Sequence, residues 1–321
     1  MAEMGSSLRF RKDGTFKIVQ FTDTHWQNGE AEDQLTRSLM ERVLKAERPD
    51  LIVFTGDLIF SLHCRDPLSS VREVVSAAAE SGIPWAAVLG NHDAEEGCGV
   101  SREAVLRELM AAGGSVTGHE PGIGGWGNYD HAVLGVDGKP AASLYFLDSG
   151  DYSRVDRIPG YGWIGRDQTE WYLSRSAEHR KLAGGEPLPS LAFFHIPLPE
   201  YNAAWESGSC SGNKHERVCC AEVNGGFFAA MAEAGDVIGT FCGHDHINDY
   251  SGEWLGIRLS YGRASGYATY GREGFQRGAR VIRLTEGSRE FESWLRLEDG
   301  TVERQRASEA LDDASPQHLN L

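Results

Sequence analysis

Short apolar runs alternate with amphipathic stretches through the first half of the chain. Phe16 to Phe21, Leu51 to Phe54 and Pro84 to Val88 are brief and almost uniformly apolar, the pattern of strands buried on both faces. Between them, Glu32 to Ala46 sets Leu35, Leu39, Val43 and Leu44 near one helical face, and Pro67 to Ser81 does the same with Val71, Val74 and Val75. Pro49-Asp50 ends the first helix. This β-α-β-α-β rhythm predicts parallel strands joined by helical crossovers.

Arg102 to Ala112 reads as a further helix, and the Gly-rich segment Gly113 to Gly127 as a loop over an edge. Tyr129 to Val136 and Ala141 to Leu147 read as a strand pair turned through Asp137-Gly138. A long loop, Asp148 to Arg166, precedes a helix over Asp167 to His179, with Asp167 as its N-cap and Glu170 three residues on. Leu191 to Phe194 is a strand, and the polar stretch Pro197 to Gly226 has the length of a binding loop or lid. Phe227 to Ala234 is a short helix and Val237 to Phe241 a strand. Beyond Ile247 the strand-like runs Trp254 to Tyr261, Ala279 to Leu284 and Phe291 to Leu297 are expected to form a second sheet. The organisation predicted is an N-terminal extension over 1–14, one α/β domain over 15–298 and a polar tail over 299–321.

Composition narrows the class. A chain of 321 residues with 40% hydrophobic and 24% charged residues has ample core for a globular fold. Its 31 basic and 47 acidic residues give a net charge of −16, which argues against a general nucleic-acid or anionic-membrane binder, since these need a positive field. Bound metal ions could still supply positive charge for an anionic substrate. Neither a secretory leader nor a transmembrane run is visible, so a cytoplasmic protein is expected. The six cysteines are too irregularly spaced for a disulfide scaffold. Free thiols are the expectation, with a Cys210 bridge to Cys219 or Cys220 as the alternative.

The candidate chemistry sits where the strands end. Asp23-Thr24-His25, Gly56-Asp57, Gly90-Asn91-His92-Asp93, His195 and Gly243-His244-Asp245-His246 each follow one of the apolar runs. One such group is an ordinary polar loop. Five of them at carboxyl ends of strands imply a shared site, because ligands of open α/β sheets bind there. Asp23, His25, Asp57, Asn91, His195, His244 and His246 offer nitrogen and oxygen donors without thiolates, a set for Mn, Fe, Zn or similar divalent metals. Seven donors exceed one tetrahedral site. They suit two ions sharing a bridging carboxylate, an arrangement that, with a bridging hydroxide as nucleophile, serves in-line displacement at phosphorus.

The ordered set Asp-x-His, Gly-Asp, Gly-Asn-His-Asp, His and Gly-His-x-His resembles the calcineurin-like metallophosphoesterases. Gly56-Asp57-Leu58-Ile59-Phe60, Leu147-Asp148-Ser149-Gly150-Asp151-Tyr152 and Phe194-His195-Ile196-Pro197-Leu198-Pro199-Glu200-Tyr201 are similar to the small purple-acid-phosphatase-like branch of plants and fungi. The resemblance implies a four-layer αββα sandwich of two mixed β-sheets flanked by helices. It implies one metal on Asp23, His25, Asp57 and His246, and a second on Asp57, Asn91, His195 and His244. His92 would stabilise phosphoryl oxygens or protonate the leaving group, and Asp93 would orient His92. Purple enzymes carry a tyrosine where this chain has Phe60, and lack His25, so a colourless protein is expected. Asn91, His63, Arg65 and Arg263 are candidate substrate contacts; Tyr152, Tyr161 and Trp163 are candidate pocket walls, and Asn248 and Tyr250 candidate supports of His246. The function expected is hydrolysis of a phosphomonoester without a phosphoenzyme. Phosphodiesterase action on nucleotides or lipids, and a non-catalytic metal-stabilised module, are the alternatives.

Overall fold

Alternation within each short strand builds the architecture. In the computed structural model, which describes residues 8–305, β1 (Thr15–Phe21), β2 (Leu51–Thr55) and β3 (Trp85–Val88) lie parallel and adjacent. Phe16, Ile18, Leu51, Val53, Ala86 and Val88 point to one face, and Val19, Phe21, Ile52, Phe54, Trp85 and Ala87 to the other. The second set packs under α1 (Ala31–Glu47), α2 (Pro67–Val74), α3 (Ser76–Ser81) and α4 (Arg102–Ala111). The first set meets Leu144, Phe146, Leu191, Phe193 and Phe241 of a second sheet. That sheet holds β4 (Tyr129–Leu134), β5 (Pro140–Phe146), β6 (Ser190–Phe193) and β7 (Val237–Cys242). Its outer face carries α5 (Arg166–Leu182), α6 (Glu200–Glu206) and α7 (Phe227–Ala234) over Tyr145, Ala192 and Phe194. The layers run helix, sheet, sheet, helix, and both sheets are mixed, as the resemblance implied.

The last strands divide between the sheets rather than forming one of their own. β8 (Ser251–Trp254) and β9 (Ile257–Tyr261) are a hairpin, with β9 parallel to β7 in the second sheet. β10 (Gly278–Thr285) returns antiparallel to β1, pairing Val19 with Val281, and β11 (Phe291–Leu297) and β12 (Val302–Glu303) extend the first sheet. The period-2 pattern of a strand fixes its faces but not its neighbour.

Other boundaries shift for local reasons. The helix expected over Pro67 to Ser81 breaks at Val75, where the Ser76 hydroxyl donates to the Glu73 carbonyl at 2.6 Å. α5 begins at Arg166 after Gly165, whose N–H donates to the Gln168 side chain at 2.7 Å, so Asp167 is not its N-cap. The segment 113–127 does pass a sheet edge: Val116 N–H donates to the Trp85 carbonyl at 2.7 Å. From Leu8 the N-terminal segment is packed, with Leu8 and Phe10 buried and Phe10 N–H on the Leu134 carbonyl. The end of the predicted tail, 306–321, lies outside the described residues, as do residues 1–7. All six cysteines are free. Among the described residues no helix is long and apolar enough to cross a membrane.

Candidate metal centre

β1, β2 and β3 of one sheet, and β6 and β7 of the other, end at the same place. The five motif loops leave those ends. Their glycines permit the approach: a Cβ on Gly90 would lie 2.2 Å from Asp57 Oδ1, and one on Gly243 only 1.9 Å from Thr22 Oγ1. Four of the expected ligands, Asp23, His25, Asp57 and His244, have positive φ of 52°, 44°, 50° and 79°. Left-handed backbone at a non-glycine residue costs of order 1–3 kcal/mol and clusters at functional sites.

The side chains converge as two groups that share one carboxylate. Asp23, His25, Asp57 and His246 form one potential ion cage, and Asp57, His195 and His244 the other. Asp57 Oδ1 accepts from the His92 backbone N–H at 2.8 Å. That leaves Oδ2 facing inward, 3.5 Å from His25 Nε2 and 3.1 Å from His195 Nε2. His246 Nε2 lies 3.5 Å from Asp23 Oδ1 and 3.2 Å from His25 Nε2. On the other side His244 Nδ1 and Asn91 Oδ1 approach His195 Nε2 at 3.2 and 3.1 Å. All seven predicted donors are therefore brought together, and all are buried.

The outer ring nitrogens decide which atoms face inward. His195 Nδ1 lies 2.8 Å from the Thr55 carbonyl and must carry hydrogen there, so Nε2 is the nitrogen that faces the cage. His246 Nδ1 meets Thr269 Oγ1 at 3.0 Å, and its ring stacks on Tyr270 at 4.1 Å. These supports replace Asn248 and Tyr250. The Asn248 side-chain Oδ1 accepts from His215 and Glu216 N–H, and the Tyr250 hydroxyl donates to the Tyr201 carbonyl.

The residues fit divalent ions on chemical grounds. Two imidazole nitrogens face each other at 3.2 Å in each cage. His25 Nδ1, His244 Nε2 and Asn91 Nδ2 are buried with no hydrogen-bond partner, a rare state for buried polar atoms. Burial pushes His25 and His244 down to about 3, so both present neutral lone pairs. Burial opposes charge at His195 too, but the Asp57 carboxylate outweighs it and lifts His195 to about 9. Asp57 is itself held well below the ordinary carboxylate range, against its burial, by His195 and His25. The protein alone thus gathers positive charge around Asp57, as a cation there would.

Comparison with known proteins agrees. The family model of calcineurin-like phosphoesterases matches residues 16–248, a span that includes every motif. The chain belongs to that family. A protein of Arabidopsis thaliana named probable inactive purple acid phosphatase 29 is 36% identical to it, covering 98% of this chain and 86% of its own length. Phosphatase DCR2 of Saccharomyces cerevisiae is 32% identical over 97% of this chain and 59% of its own. A dimetal phosphatase from Danio rerio shares the fold at a TM-score of 0.59 and 14% identity, covering 87% of this chain and 98% of that one.

Around this phosphoesterase centre, two expected contacts change. Asp93 does not orient His92. Its carboxylate accepts from the Ile59 N–H at 3.0 Å and the Gly90 N–H at 2.7 Å, bracing the loops. Burial and the nearby Asp57 push it up to about 6. His92 Nδ1 instead lies 2.8 Å from Glu95 Oε1. Glu95 was legible only as an acid one helical turn after His92; nothing in the motif marks it above the neighbouring Glu96. Arg263 is also elsewhere. It is buried, ion-paired with Asp249, donates to the Gln276 carbonyl at 2.6 Å and lies 3.3 Å over the Phe275 ring.

His63 and Arg65 are exposed, outside the cluster of donors. His63 stacks on Phe60 at 4.0 Å, and the Phe60 ring meets His92 and His25 edge-on at 5.0 and 5.6 Å. The loop 148–166 does reach the centre. Tyr161 packs edge-on against His244 at 4.4 Å and stacks on Tyr152 at 5.7 Å. A cavity of about 280 Å³ opens behind Tyr152, with Trp126, Trp163 and Arg154 also in its lining.

Proposed function

We propose that this protein hydrolyses phosphomonoesters at a two-ion centre, by direct attack of water and without a phosphoenzyme. The observation that supports this most is Asp57 Oδ2, which both donor cages share. Two divalent ions held there would supply Lewis acidity to the phosphoryl group and lower the pKa of the attacking water to about 7. Asp23, His25, Asp57 and His246 would hold one ion, and Asp57, Asn91, His195 and His244 the other.

The chain's own groups do the rest. With Nδ1 engaged by Glu95, His92 offers Nε2 to the substrate. As the bond from phosphorus to the leaving oxygen breaks, the doubly protonated ring gives that oxygen the hydrogen at Nε2 and is left neutral with hydrogen at Nδ1, a contribution of about 10²–10⁴-fold. The unpartnered amide of Asn91 donates to a phosphoryl oxygen. The exposed His63, stacked on Phe60, and the exposed Arg65 would add polar and cationic groups to a protein whose net charge of −16 would otherwise repel an anionic ester. Tyr152 and Tyr161 wall the side of the second cage.

A non-catalytic, metal-stabilised module is the second reading, favoured by the names of three Arabidopsis thaliana relatives, each called probable inactive. Against it stand the seven convergent donors and a supported His92. The test is hydrolysis of matched aryl phosphate mono- and diesters after reconstitution with Mn, Zn or Fe, with Asp57→Asn alongside. Turnover of the monoester that Asp57→Asn abolishes supports the proposal. A dominant diester activity would replace it with a phosphodiesterase, and no turnover with both ions bound would favour the module.

A further inference from the structure

Glu95 belongs to no motif that the sequence presented, yet it is the acid that reaches the His92 ring. Its side chain retains 10% exposure and that of His92 27%. Glu95 Oε1 lies 2.8 Å from His92 Nδ1. Glu95 Oε2 accepts from the Ser61 hydroxyl at 3.3 Å and the Leu62 N–H at 3.4 Å. The Glu95 N–H donates to the Ser61 hydroxyl at 2.9 Å, and the Ser61 N–H donates to the His92 carbonyl at 3.0 Å. Four bonds therefore close a ring between the loop after β2 and the loop after β3, with the carboxylate clamped at both oxygens. On another side of the imidazole, the Phe60 edge limits how far the ring can turn.

Geometry then fixes chemistry. An ionised carboxylate only accepts, so the nitrogen facing it must carry hydrogen. The neutral ring is held as the Nδ1–H tautomer, with Nε2 bare, and the protonated ring carries its second hydrogen at Nε2. Asp93, the acid adjacent in sequence, cannot do this, because its two oxygens are spent on backbone N–H groups. We propose that Glu95 is the positioning residue of this site, holding His92 by Nδ1 so that Nε2 serves the leaving oxygen. The role rests on the phosphomonoesterase reading for its purpose, but not for its detection.

The first test needs no turnover. Two-bond ¹H–¹⁵N spectra of the full chain, labelled at histidine and free of ions, report the His92 tautomer, with His92→Gln to assign the signal. Read at alkaline pH, where the ring is neutral, wild type is expected to show hydrogen at Nδ1 and an unprotonated Nε2; Glu95→Ala is expected to lose that preference. An Nε2–H tautomer in wild type, or an unchanged tautomer in Glu95→Ala, overturns the proposal even if the enzyme is active. The second test uses the ion-loaded chain and two leaving groups. Glu95→Ala is expected to lower kcat about 10–100-fold for an alkyl phosphate, the usual cost of removing an orienting partner, and distinctly less for nitrophenyl phosphate, whose leaving oxygen needs little protonation. KM and ion stoichiometry should hold, and Glu95→Gln, which keeps an acceptor for Nδ1, should recover part of the loss. Equal losses with both leaving groups, or loss of bound ions, would make Glu95 a loop brace only.

Discussion

Two buried polar clusters sit near the ends of these strands, and they are built on opposite rules. In the cluster of Arg263, Asp249 and Arg280, the charges are met by other protein groups. Arg263 pairs with Asp249, whose other oxygen accepts from the Asn213 N–H at 2.6 Å. Arg280 donates to the Tyr261 and Asp249 carbonyls at 2.5 and 2.6 Å. In the cluster around Asp57, imidazole nitrogens face each other, three buried polar atoms lack partners and four backbones are left-handed. The first cluster is complete as protein. The second is arranged around something the protein does not itself supply, and that contrast separates a structural network from a binding centre.

Breaking the two clusters should have opposite signatures. The largest expected effect is Asp57→Asn: turnover falls at least about 10³-fold and ion stoichiometry drops, read by kinetics and elemental analysis, because the shared oxygen loses its charge. Asp249→Ala should spare both readouts but destabilise the fold by about 3–5 kcal/mol, measured by denaturant unfolding, since it strands the buried Arg263. Chelating the ions should lower unfolding free energy by roughly 3–4 kcal/mol relative to a state at 100–1,000 times the dissociation constant, and Asp57→Asn should blunt that response. Phe60 should leave the ion-loaded protein without a visible charge-transfer band; a purple colour on reconstitution would refute a centre free of phenolate.

The smallest effect is expected from pH at a histidine that resembles His92 but lies away from the centre. His179 Nε2 meets Asp130 Oδ2 at 2.6 Å, and its Nδ1 meets the buried Ser143 hydroxyl at 2.7 Å. Burial opposes ionisation of Asp130, but bonds from His179 and Arg175 outweigh it and hold it below the ordinary carboxylate range. A carboxylate depressed in the folded state adds stability above its unfolded pKa and loses it as pH falls through the folded value. Acid denaturation below about pH 4 should therefore be less steep in Asp130→Asn, measured by unfolding at a series of pH values.

Legibility followed the same divide. The seven donors were readable because five strand ends repeat one grammar, and burial on both faces makes β1, β2, β3, β6 and β7 nearly continuous apolar runs. Arg263 was misread because a sequence shows an arginine's charge but not Asp249 beneath it. Asp93 was misassigned because adjacency along the chain says little about which carboxylate reaches a ring nitrogen after a turn. The destination of β10 and β11 was hidden because their alternation fits either sheet, and only pairing with β1 decides.

The central claim is a two-ion centre that hinges on Asp57, and ion stoichiometry tests it most directly. Apo protein titrated with Mn or Zn by calorimetry, with elemental analysis of the product, should bind two ions per chain, and Asp57→Asn fewer. Two ions bound undiminished by Asp57→Asn, or none bound by the wild type, would contradict it.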